Sequence, residues 1–306
     1  MIPISIYDEV ATLEAVVVGT AKSFGGVPTM EDIHDPKTKE HVLDGTFPVE
    51  EDLVEEMESL CDVLKKYDVK VYRPEVIKNY NQIFARDISF AIGETFIVPS
   101  VTHNRKLESD GIQHIINQID PKNVLLPDLH IRMEGGDVMP WHGNLYVGYS
   151  KSEDFEKYVV ARTNEAGVEY LEKTFKDLKI IPVELRKSDD EPRENALHLD
   201  CCFQPLGKEK AIIHKEGFKH AEDANMLIDE IGEENIHFID KQEMYDMHSN
   251  VFSITPHVIV SDPSFIRLNN QLESWGFTVE KVNYKEVAKM EGLFRCTTMP
   301  LRRRYE

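Results

Sequence analysis

The chain is poor in cysteine, with Cys61, Cys201, Cys202 and Cys296 as the whole set in 306 residues and no CxxC pair among them. Neither a disulfide framework nor a cysteine-based zinc site is expected from that usage. Long apolar runs are missing as well: no stretch approaches the roughly 18 residues a membrane helix needs. The opening MIPISIYDEVATLEAVVVG has no basic segment ahead of an apolar one, so no signal peptide is read there and a cytoplasmic protein is expected. Positive charge is scarce, 35 basic against 55 acidic side chains for a net charge of −20, and such an excess repels phosphate backbones and anionic lipid. Nucleic acid and membrane surfaces are therefore excluded as partners at this stage.

What is present is an ordinary globular composition, 41% hydrophobic and 29% charged, which implies a packed core throughout. A hairpin–helix–strand module recurs along it. One copy reads ISFAIGETFIVPS, then DGIQHIINQI with isoleucines at helical spacing, then VLLP. A second reads DVMPWHGNLYVGYS, TNEAGVEYLEKTF, IIPVEL; a third LHLDCCFQPLGKEKAIIHK, AEDANMLIDEIG, IHFID; a fourth NVFSITPHVIVSD, SFIRLNNQLESWG, FTVEKVN. EAVVVGT, the helix EEDLVEEMESLCDVLKKY and VKVYRP at the front, with LFRCTTMPLR at the back, make a fifth copy split between the termini. A unit shared by both ends favours a closed ring of five modules, an α/β fold in a single domain over residues 1–306. Residues 21–50, rich in Gly, Pro and charge, interrupt the pattern as a long connection that is either a lid or a plain surface loop.

Four segments carry side chains capable of chemistry. In ALHLDCCF, His198 and Asp200 are two apart on an expected strand, so they share a face; they are either a base with a cation clamp or a structural pair. MEGGDV sets Glu134 and Asp137 around two glycines, which serve close approach of backbone or ligand, or form a bulge flanked by solvated acids. In FARDISF, Arg86 and Asp87 stand at the start of an expected buried strand, where Asp87 needs a cation: the neighbourhood of Arg86, another side chain or a ligand. In GLFRCTTMPLRRR, Cys296 is either a small buried hydrophobe or a thiolate supported by Arg295, a protonated His198 or a cationic substrate. Cys61, on an amphipathic helix, reads as core, and at least one of Cys201 and Cys202 as packing.

FARDISF, MEGGDV with ARTNEAG, HLDCCF, SNVFSI and GLFRCTTMPLRRR follow one another in the order seen in the guanidino-group-modifying superfamily. That superfamily includes arginine deiminases, glycine amidinotransferases and dimethylarginine dimethylaminohydrolases, and the chain resembles it from about Asp87 to Arg303. The resemblance implies the five-bladed α/β-propeller called the pentein fold. It implies Cys296 as nucleophile, His198 as general acid/base, Glu134 as the carboxylate orienting the histidine, and Asp87 with Asp200 as a guanidinium clamp. Arg162 looks like the arginine that grips a substrate α-carboxylate, with Arg86 a second candidate. No cofactor or metal is implied, the partner is a small arginine-like guanidine, and a homodimer is the assembly the resemblance suggests.

The expected reaction is attack by Cys296 on the guanidinium carbon, with a covalent amidino-cysteine intermediate. Its hydrolysis gives a ureido product; its capture by an amine is amidino transfer. HLD and the GLFRC-to-RRR tail resemble amidinotransferases, EGGD and ARTNEAG arginine deiminases, and the hydrolase is preferred because water needs no acceptor pocket. Arg295 and Thr297 replace the aromatic and histidine neighbours of the nucleophile in some members, which leaves substrate choice open. A propeller that binds cationic guanidines without turnover is the non-enzymatic alternative. A metal enzyme is disfavoured because none of the twelve histidines stands in an HExxH or zinc-spaced cluster.

Overall fold

A computed structural model describes residues 1–102 and 105–305. Its strands form five three-stranded sheets of one design, an antiparallel hairpin whose second strand also pairs in parallel with a third. The sequence reads this way because three of the hairpins close on a turn with a residue at positive φ. Val138–Trp141 and Asn144–Tyr149 meet through His142 and Gly143, at φ 52° and 73°, the two left-handed residues that a tight hairpin turn requires. Phe90–Ile92 and Thr95–Ile97 turn at Gly93, φ 56°. The returning strand comes after a helix, as it must for parallel pairing: Glu165–Thr174 leads to Lys179–Glu184, and Ala221–Ile231 to Ile236–Phe238.

The fifth sheet joins the two ends of the chain. Thr298–Arg304 pairs antiparallel with Thr12–Val18, which pairs in parallel with Lys70–Tyr72 after the helix Glu50–Lys66. That helix buries Leu53, Met57, Leu60, Cys61 and Leu64, one stripe at helical spacing, so Cys61 is core as expected. The five sheets are the blades of the five-bladed α/β-propeller. No helix among the described residues is long and apolar enough to cross a membrane.

Three local expectations differ. DGIQHIINQI is two single turns, Glu108–Gly111 and Gln113–Ile116, in place of one helix. The Gly111 carbonyl accepts from Glu75 at 2.7 Å, and a Cβ on Gly111 would stand 2.2 Å from the Gln82 amide, so tertiary packing overrides the helical pattern. In ALHLDCCF, His198 is extended, Leu199–Cys201 is a 3-10 turn and the strand starts only at Phe203. Asp137 imposes this by accepting from the Leu199 N–H at 2.9 Å. In FARDISF, Ala85–Ile88 is a helical turn ahead of the strand.

Residues 21–50 are more than a connection. They contain the helix Pro36–Leu43, whose N-cap Asp35 accepts from Thr38 N at 2.6 Å, and they wall one side of a cavity at the loop end of the blades.

Candidate active site

That cavity encloses about 470 Å³ and is lined by Phe24, Phe84, Arg105, Arg162, His198 and Cys296, among others. Many of its polar side chains come from residues 29–38, while Asp87, His198 and Cys296 come from segments just ahead of a strand. His198 is placed there by two glycines. A Cβ on Gly136 would come within 2.6 Å of the His198 ring, and one on Gly135 within 2.1 Å of the Arg86 carbonyl. EGGD is therefore the close approach of two backbones around an imidazole.

His198 Nε2 bonds Glu134 Oε2 at 2.9 Å, while Nδ1 stands 3.8 Å from Asp87 Oδ1 and has no hydrogen-bond partner. Burial alone would lower the imidazole pKa. Asp87, the bond to Glu134 and Asp137 outweigh it and raise it to about 9, so the ring is a cation at neutral pH. Burial would likewise raise the Glu134 carboxyl, but Arg162, the His198 bond and Arg105 hold it well below the usual range. Its backbone N–H donates to Thr163 Oγ1, which donates to Asp137.

Cys296 is 3% exposed. Its N–H donates to Asn250 Oδ1 and the Asn250 amide donates back to Sγ, both at 3.1 Å. Sγ lies 3.6 Å from Asp200 Oδ2. Burial, then Asp200 and Asp87, push the thiol pKa well above its ordinary value, so in the free protein it is protonated.

Asp87 finds its cation in Arg105, whose NH1 donates to Oδ2 at 2.8 Å; the rest of that guanidinium binds Glu108 and the Phe84 carbonyl. Arg162 reaches the His34 carbonyl at 3.2 Å and Glu134 at 3.7 Å, leaving its Nε without a partner. Asp200 touches Cys296 but does not line the cavity; it is fully buried, and Oδ2 accepts from Arg295 at 2.9 Å. Arg86 also stays outside, bound to Glu9 at 3.3 Å and the Arg295 carbonyl. Its Nη1 and Nε are held there and its Nη2 is buried without a partner, and the side chain does not line the cavity.

Arg295 is spent on Glu9, Asp200 and the carbonyls of Gly135, Gly136 and Val138, so it cannot serve as the cation for a Cys296 thiolate. Asp87, Glu134 and His198 each offer an atom within 4.8 Å of the others, a spacing that a metal ion can also use. Here the imidazole and Arg105 take one oxygen of each acid, Glu134 Oε2 and Asp87 Oδ2, and leave the other oxygen of each without a hydrogen bond.

Several polar side-chain atoms in this region are buried with no partner: Asp87 Oδ1, Glu134 Oε1, His198 Nδ1, Arg162 Nε and Glu291 Oε2. Orphan atoms this costly mark a place for a ligand. Residue patterns did not single out Asn250, Arg105 or Glu291. Asn250 lies inside SNVFSI, where a buried amide ahead of an apolar strand is a readable signal; Arg105 sits in a polar loop with none.

Over residues 46–303 the chain matches the family described as N,N dimethylarginine dimethylhydrolase, eukaryotic. A relative, the uncharacterized protein YkgA of Bacillus subtilis, is 28% identical over 96% of this chain and 93% of its own. Among solved structures, inosamine-phosphate amidinotransferase StrB1 from Streptomyces griseus superposes with a TM-score of 0.78 at 17% identity, covering 99% of this chain and 97% of that one. DDAH from Pseudomonas aeruginosa, complexed with citrulline, gives 0.71 at 17% identity over 94% and 99%.

Proposed function

Because the chain belongs to the N,N dimethylarginine dimethylhydrolase family and is a cysteine-dependent enzyme acting on carbon–nitrogen bonds, we propose that it hydrolyses the guanidino group of arginine or an N-methylated arginine. The observation that carries this reading is the pair of unpartnered atoms Asp87 Oδ1 and His198 Nδ1 in the cavity that Cys296 also lines, with the unpartnered Glu134 Oε1 on the residue that holds His198. A planar cation with several N–H donors fits the two acids.

Binding of the guanidinium beside Sγ supplies the positive charge that the free site denies the thiol, and the thiol proton passes to solvent water as the cation seats. The sulfur adds to the guanidinium carbon, forming a C–S bond. His198 Nδ1 gives its proton to the departing amine as the C–N bond breaks, leaving an amidino-cysteine. The imidazole, now neutral and held by Glu134, takes a proton from water as the oxygen adds. The C–S bond then breaks, the ureido product leaves and Cys296 is restored. Arg162, with its unused Nε, receives a substrate carboxylate, and Asp200 steadies the thiol side of the site through Arg295.

Mass spectrometry of products from L-arginine and from N,N-dimethylarginine, each with and without glycine as acceptor, tests the proposal. Citrulline and the released amine in acceptor-independent amounts are expected. An amidinated acceptor without ureido product would overturn hydrolysis in favour of transfer. Absence of turnover and of any Cys296 adduct across a guanidine panel would leave a binding protein.

A further inference from the structure

Arg303, on the strand Thr298–Arg304, is 1% exposed and takes no part in the chemistry above. Its Nη1 donates to the Ala11 carbonyl, and the guanidinium carbon stands 5.3 Å from the centre of the Phe252 ring. The other edge, Nε with Nη2, is buried and has no hydrogen-bond partner. Among the described residues no acid forms an ion pair with Arg303, whereas its more exposed neighbours Arg302 and Arg304 share Glu14. The acids whose charge reaches it, Asp8 and Glu9, are engaged elsewhere. Asp8 accepts from the Val10 and His142 N–H groups, and Glu9 gives both its oxygens to Arg86 and Arg295. A guanidinium taken out of water with no counter-charge in contact is strongly unfavourable. Accordingly, burial pushes the Arg303 pKa down against the pull of Glu9, Tyr305 and Asp8.

We infer that the Nε/Nη2 edge of Arg303 is a binding site for a small inorganic monoanion of the halide class, chloride in the first place. The two N–H donors of that edge run side by side and converge on one acceptor, the arrangement that a guanidinium presents to an anion. Arg303 lines neither the substrate cavity nor the groove around His214 and Phe238, and a monatomic ion asks least of so enclosed an edge. The ion supplies the counter-charge that Asp8 and Glu9 withhold. It steadies the pairing of Arg303 with Leu13, in the sheet that joins the two ends of the chain, and no step of the guanidine reaction depends on it.

Thermal midpoints measured against sodium chloride and sodium gluconate test this, because in a chain of net charge −20 chloride has little reason to collect at the surface. With chloride a saturating rise of about 3 °C is expected, the effect of an ion that binds only the folded protein at about tenfold its dissociation constant. Gluconate, too bulky for the edge, is expected to give only a response without saturation. Arg303→Met, which keeps an unbranched chain against Phe252, is expected to lose the saturating rise. The second measurement needs no variant: crystals of the parent protein in sodium bromide are expected to show an anomalous peak within hydrogen-bonding distance of Nε and Nη2. The same unsaturated response to both salts, or water alone at that edge in the bromide crystals, overturns the inference. A saturating rise that survives in Arg303→Met overturns it too, and leaves an adventitious ion only.

Discussion

The sulfur of Cys296 is flanked by Asp200 at 3.6 Å and by the Asn250 amide at 3.1 Å, and among the described residues no lysine or arginine hydrogen-bonds to it. Its activation therefore has to come with the ligand, and small electrophiles report this directly. A neutral alkylating agent such as iodoacetamide should modify Cys296 slowly at pH 7. A cationic one, chloroacetamidine, should react roughly 100-fold faster, the effect of a charge that shifts a neighbouring pKa by 1–3 units. Equal rates would refute ligand-assisted activation. Cys296→Ser should abolish turnover with the thermal midpoint kept, since serine is nearly isosteric and has no accessible anion. His198, raised to about 9, is a cation below that pH and neutral above it, so it can act as acid throughout the neutral range and loses that ability as pH rises through 9. Imidazole resonances followed by NMR in the Cys296→Ser protein should show that midpoint, and Asp87→Asn should move it down, because Asp87 is the largest influence raising it.

The glycine turn shows how an element places these groups. Gly135–Asp137 is a 3-10 turn in which the backbone at Gly136 lies against the His198 ring, and Asp137 holds Leu199 N from behind. Gly136→Ala would put a methyl group 2.6 Å from the ring carbon, so the imidazole has to leave its bond to Glu134. A fall in kcat of at least about 10²-fold is expected, on the scale of losing a positioned general acid. A crystal structure of the variant with His198 unmoved would contradict it. The motif MEGGDV carried the identities of this turn in plain view, and hairpins such as DVMPWHGNLYVGYS were legible because alternation and turn residues are local properties. What could not be read depends on distant partners. Leu199–Cys201 is a turn and not a strand because an acid 62 positions away in sequence claims its backbone. Asp87 is paired by Arg105, from a loop without any pattern, and the adjacent Arg86 is drawn instead to Glu9.

At the scale of the whole molecule, the charged side chains of Arg86 and Arg295 would be a liability in the interior without Glu9. The opening segment that bears it runs across the blades: Ile2 bonds Gln118, Ser5 bonds Leu301, Ile6 pairs with Gly93 and Glu9 N donates to Pro140. Glu9 then binds both guanidiniums, Arg295 at 2.9 Å and Arg86 at 3.3 Å, and Arg295 passes the connection on to Asp200 and the glycine turn. Burial would raise the Glu9 carboxyl, but Arg295 and then Arg86 prevail and hold it at about 2, below its ordinary 4.5. Being depressed on folding, it contributes stability that is fully present above about pH 4.5 and lost as pH falls through 2. A displacement of that size corresponds to about 3 kcal/mol. Glu9→Gln should therefore lower the unfolding free energy at pH 7 by about 3 kcal/mol, in the range for breaking a buried pair and leaving its partners charged. Urea titrations of both proteins should show the gap narrowing as pH is taken from 4.5 toward 2, since protonation then removes from the parent what the substitution removed already. A gap that stays constant across that interval would mean the Glu9 carboxylate is not what holds the two arginines.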